Sequence, residues 1–183
     1  MIPLNHLLRF YVNYYDYEKP LIDLINKAKF KEALPLFISF KNSYMSVGRN
    51  FRGGNDEKIW DTLITFESMD QEGVAKLSKK FCSDELLTKQ NAISACSKFI
   101  WLFNHDVNIF DNNVATALKY YGADYNEYCN KWISKYTECR VKLTEGISKF
   151  RLSELDPIFN EEWFIKRTFD QILWADAKAF KGI

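Results

Sequence analysis

The chain has 183 residues, enough for one domain with a sizeable core. Hydrophobic residues make up 47% and aromatics 16%, which argues against a disordered chain, and 7 glycines with 4 prolines are too few for a turn-rich β fold. A formal net charge of +1, from 25 basic and 24 acidic side chains, excludes a global electrostatic attraction to nucleic acid; contact with DNA would have to rest on local basic patches.

Asn5 is placed to cap a first helix over about 6–16, ending before Pro20. Its aromatics Phe10, Tyr11, Tyr14 and Tyr15 recur at helical spacing, either as core packing or as a face for stacking bases. A second helix is expected over about 21–32. Pro35 suits the first turn of a third, over about 34–45, with Gly48 as its stop. The clearest loop is VGRNFRGGND, residues 47–56. Arg49 and Arg52 can pair with phosphate, and Phe51 can stack or wedge if exposed; the plainer reading is a solvated connector.

Asp56 can cap a helix over about 57–67, whose Ile59, Trp60, Leu63 and Phe66 form a stripe. A helix over about 70–81 ends in Lys76, Lys79 and Lys80, which read as a basic edge or as a solvated helix end. Ser83 is then placed to cap a broad apolar helix over about 84–103, expected to be central. After a loop at 104–111, Asp111 or Asn112 caps a helix over about 113–121, closed by Gly122 in the left-handed conformation. Asp124 starts the longest helix, over about 125–149, and Asn160 caps the last. The sum is an all-α chain of eight or so helices, read as one globular domain over residues 1–183.

Cys82, Cys96, Cys129 and Cys139 form no CxxC pair, and the histidines are His6 and His105 alone, so neither a metal site nor a cofactor is expected. Reduced thiols, no signal-peptide pattern and no run of about 18 apolar residues point to a cytoplasmic chain without a membrane span. The oligomeric state is left open.

The stretch Ala92 to Leu118 carries the function reading. Ser97-Lys98-Phe99-Ile100 is followed by a short loop and then by Ile109-Phe110-Asp111 before a helix. Near the end stands Arg167-Thr168-Phe169-Asp170-Gln171-Ile172-Leu173-Trp174. This order resembles the helix-hairpin-helix DNA glycosylases, and more closely their small bacterial relatives. The resemblance implies an all-helical fold, DNA as partner, and Asp111 as the carboxylate that stabilises positive charge on the sugar as an N-glycosidic bond breaks. The plainer reading of Asp111 is an ordinary helix cap.

No lysine stands at the family's lyase position, near Asn91, Ala92 and Ile93, which implies a monofunctional enzyme without a Schiff-base step. The glycine hairpin expected just before Ala92 is replaced by SDELLTKQNA. Lys89 and Asn91 are the polar substitutes available there for holding a phosphate. Trp101 could stack on an extruded base and His105 could shuttle a proton near neutral pH; core and exposed loop are the plainer readings of the two. The alternative function is a non-catalytic helical module binding protein or nucleic acid through the 47–56 loop and the 76–80 edge, with a role in host–phage conflict as a further reading.

Overall fold

The computed structural model describes the backbone of residues 4–181 and the side chains of 4–175 except His6. Its α-helices are α1 (Leu4–Asn13), α2 (Lys19–Asn26), α3 (Phe30–Ser39), α4 (Asp56–Ile64), α5 (Gly73–Ser83), α6 (Ile93–Trp101), α7 (Asn112–Ala117), α8 (Tyr125–Ser148) and α9 (Glu162–Lys181). Single π-helical turns occupy Tyr14–Glu18 and Phe40–Tyr44. No strand occurs among the described residues, only an isolated bridge between Phe51 and Leu87, so the protein is all-α as expected. The chain forms two compact units, Asn13–Ile109 and the remainder, the residues up to Val12 with those from Phe110 on.

In the Asn13–Ile109 unit, α6 is the core element. Ala95 through Trp101 are all buried, and α6 lies against α5. Phe99 is the hub. It stacks with Phe51 (5.6 Å between centroids) and meets Phe37 and Phe81 edge-on, at 5.0 and 6.4 Å. Ser78 on α5 accepts a bond from the Ala92 amide at 2.9 Å, which ties the start of α6 to α5. Gly73 opens α5 for a steric reason: a Cβ there would lie 1.7 Å from the Ser68 carbonyl oxygen.

In the other unit, α9 is the common support of α7 and α8. Phe10 of α1 stacks on Phe164 of α9 at 4.8 Å, and the Tyr11 hydroxyl donates to Asp156 at 3.0 Å. Two aromatics of α8, Trp132 and Tyr136, pack on Phe169 of α9.

Several boundaries differ from those expected. Pro20 does not end a helix; the helical backbone runs on through the π-turn Tyr14–Glu18 into α2, with Pro20 in the first turn of α2. Pro35 lies inside α3, which begins at Phe30, and the expected 21–32 helix stops at Asn26 with Ala28 in the left-handed region. Ser46, at φ 52°, closes the 40–44 turn in place of Gly48. Asn55, not Asp56, is the residue before α4. The Asp56 side chain is drawn instead to the buried Lys41, 2.8 Å away.

The expected 84–103 helix is shorter at its start. Ser83 is the last residue of α5, Glu85 turns at φ 56°, and helix resumes only at Ile93. After α7 the left-handed residue is Lys119 (φ 52°), not Gly122. A Cβ at Gly122 would meet the Tyr120 hydroxyl at 2.6 Å, so glycine is there for space.

Candidate functional site

Asp111 is the N-cap of α7. Its backbone is extended (φ −137°, ψ 137°), and Oδ1 accepts the Asn113 amide at 2.8 Å. The side chain is half-buried. The preceding residue, Phe110, packs its ring on Tyr128 of α8 at 4.7 Å. Tyr128 is fully buried. Burial first, then the charges of Asp170, Cys129, Asp111 and Tyr125, hold its hydroxyl protonated well above the ordinary tyrosine range. Trp132, one turn further along α8, donates its indole N–H to Asp170 Oδ1 at 3.4 Å, and Arg167 pairs with Asp170 Oδ2 at 2.6 Å. Both ion-pair partners are buried, at 6% and 7% side-chain exposure, and the guanidinium also lies over the Phe10 ring at 5.6 Å. Sequence reasoning singled out Arg167 and Asp170 only as parts of a terminal motif. Their i, i+3 spacing on a helix was the available sign that they pair.

The other unit holds the remaining expected residues. Trp101 is 2% exposed and packs on the His105 ring at 4.5 Å. It is a core residue as placed, with no face open to a base. Burial lowers the pKa of His105 to about 4, against a smaller opposing effect of Asp106. At near-neutral pH the ring is therefore neutral as placed. The loop that carries His105 is anchored by two asparagines that the sequence reading passed over. Asn104 donates to the Met69 carbonyl at 2.8 Å and buried Asn108 to Gln71 at 3.2 Å.

The two stretches expected to touch DNA, 47–56 and 88–91, form one surface. The Arg52 amide donates to the Leu86 carbonyl and the Thr88 amide to the Asn50 carbonyl, both at 2.9 Å. The Thr88 hydroxyl reaches the Arg49 carbonyl at 3.1 Å, and Arg52 Nε reaches the Leu87 carbonyl at 3.1 Å. Phe51 sits at this crossing but is 5% exposed, buried against Phe81 and Phe99. It is a core residue and not a wedge, because the ladder turns its ring inward. Arg49, Lys79, Lys89 and Asn91 are exposed. Lys80 is exposed too, but pairs with Asp84 at 2.9 Å.

Among the described residues no group of His, Cys, Asp and Glu is arranged to hold a metal ion, and no helix is long and apolar enough to cross a membrane. None of the four cysteines is in a disulfide. Burial raises the Cys96 pKa, so that thiol is unreactive. No protein-family model, curated protein or solved structure matches the chain.

Proposed function

We propose that the protein is a monofunctional DNA glycosylase-like enzyme that releases a modified or damaged base, with Asp111 as the working carboxylate. The observation that carries this reading is the order of elements along the chain. Two packed helices, α5 and α6, are joined by a non-helical turn; an anchored loop follows; an acid then stands at the cap of the next helix. A half-buried carboxylate oriented by a cap bond can stabilise a developing sugar cation or direct an attacking water, and a rigid helix start holds it in place.

DNA is the proposed partner. The ladder between residues 50–52 and 86–88 uses the Arg52 and Thr88 amides internally, so phosphate would be held by Arg49, Lys89 and Lys79 rather than by backbone N–H groups. The cap bond also favours a second reading. Asp111 accepting the Asn113 amide is what a purely structural cap does, and in that case the protein is a non-catalytic helical module.

The variant Asp111→Asn separates the two. Asn is a good cap, so stability changes little, while an amide cannot stabilise the sugar cation and base release is lost. The assay incubates the protein with DNA rich in modified bases, then reveals abasic sites with alkali. Strand breaks without alkali would remove the monofunctional assignment. Absence of released base from any DNA would leave the binding module as the reading.

A further inference from the structure

Lys41 sits in the π-helical turn Phe40–Tyr44 and is 4% exposed. A lysine removed from water is costly unless acceptors meet its ammonium, and apolar residues of similar volume often serve a core as well or better. What the ammonium touches is therefore the informative fact. Nζ reaches Asp56 Oδ1 at 2.8 Å and Asn42 Oδ1 at 2.7 Å, and lies over the Phe51 ring at 5.8 Å. Asp56 ends the 47–56 loop and opens α4, and Phe51 is in the middle of that loop. Asn42 lies against its start, where Gly48 leaves room: a Cβ there would collide with Asn42 Oδ1. The Lys41 carbonyl also accepts the Val47 amide at 2.9 Å. One lysine thus ties both ends and the centre of the loop to the π-turn.

We infer that Lys41 is a positioning residue for phosphate contact by Arg49, its buried ammonium holding the 47–56 loop in the shape that presents that arginine. This rests on the reading of DNA as the partner. Arg49 is exposed in the 3-10 turn Gly48–Asn50, between the points that Lys41 holds. Its carbonyl accepts from the Thr88 hydroxyl at 3.1 Å, and the Asn50 carbonyl accepts from the Thr88 amide at 2.9 Å. The exposed Lys89 follows Thr88. A loop fixed by Lys41 can pair in one register with residues 86–88, and that register brings the backbones of Arg49 and Lys89 together. Arg49 meets phosphate; Lys41 touches none and acts through the loop.

Two variants release this hold. Lys41→Met removes the ammonium and keeps an unbranched stem. Asp56→Ala removes the acceptor at the end of the loop, at a side chain 32% exposed. Hydrogen exchange is read at the Arg52 and Thr88 amides, which donate to Leu86 and Asn50. The Ala92 amide, which donates to Ser78, is the control. Both variants are expected to speed exchange at Arg52 and Thr88 by ~10-fold or more, as local opening does, and to leave Ala92 unchanged. Wild-type exchange at Arg52 and Thr88 in folded Lys41→Met overturns the inference; Asp56→Ala decides if that variant does not fold.

Binding of a short fluorescein-labelled DNA duplex gives the second readout. Asp56→Ala removes a negative charge, so electrostatics alone would tighten binding. Positioning predicts the reverse, a loss of ~3-fold or more, as coupled neighbours show. Arg49→Ala is expected to weaken binding in the wild type and to add little in Asp56→Ala. Lys79→Ala, on α5 and outside the loop, is expected to cost the same in both backgrounds. Equal or tighter binding by Asp56→Ala, or an undiminished effect of Arg49→Ala in it, overturns the positioning role and leaves DNA as the partner. No binding by the wild type at low salt ends the DNA reading and the inference with it.

Discussion

His105 shows how a single side chain is remade by its surroundings. Packed against Trp101 and half-buried, it has a pKa of about 4 against 6.5 for an ordinary histidine. Between those two pH values the unfolded chain takes up a proton that the folded chain refuses. Stability therefore rises with pH across the window and is lost as pH falls from about 6.5 towards 4. At about 1.4 kcal/mol per pKa unit the contribution is at most about 3 kcal/mol. Chemical denaturation at a series of pH values should show a shallower acid loss for His105→Phe than for the wild type; equal slopes would place the histidine in water. Phe51 and Trp101 teach the same lesson. Both have the right chemistry to stack on a base, and both are consumed by the core.

Among the elements, α6 is buried from Ala95 through Trp101. Phe99 touches aromatics from α3, α5 and the 48–52 segment. Phe99→Ala should cost about 3–5 kcal/mol in a denaturant series, because three rings cannot all close on the vacated space. A change under ~1 kcal/mol would mean that the ring is not enclosed as described. The α8–α9 contact is held differently at its exposed edge. Glu162 accepts from Tyr136 at 2.8 Å and pairs with Arg140 at 2.9 Å. Its hydrogen bond with Arg140, then that with Tyr136, lowers its pKa against an opposing effect of burial, while burial and Glu162 push Tyr136 up to about 12. Such solvated pairs add little to stability, so the apolar stripe beneath carries the contact.

For the molecule as a whole, a net charge of +1 makes any attraction to DNA local. Arg52 and Lys80 are engaged with the Leu87 carbonyl and with Asp84, which shifts the proposed phosphate-binding role towards Arg49, Lys79 and Lys89. DNA affinity should fall steeply with salt. Replacing Arg49 and Lys89 together by Ala should flatten the log–log slope by roughly 2, about one for each phosphate-pairing cation removed. Unchanged affinity and slope in a salt titration would remove this surface from consideration.

Helical class was legible because apolar residues recur at helical spacing and breakers are few. Asp111 and Asp124 were legible as caps because a short acceptor before a helix satisfies orphan amides wherever the chain folds. The two prolines misled. A helix can place Pro20 in a first turn and carry Pro35 within one, and only neighbouring packing decides whether it does. The break at 84–92 was hidden for a similar reason. Residues 86–88 hydrogen-bond to 49–52, nearly forty positions away, and no local propensity reports such a partner. Sequence alone determined periodicity, cap chemistry and net charge; the first two depend only on neighbours within a turn or so, and the last on composition. Tertiary structure alone decided that Phe51 and Trp101 are enclosed, that His105 is neutral and that Arg167 finds Asp170 in the core, because burial belongs to the packed chain and not to the residue.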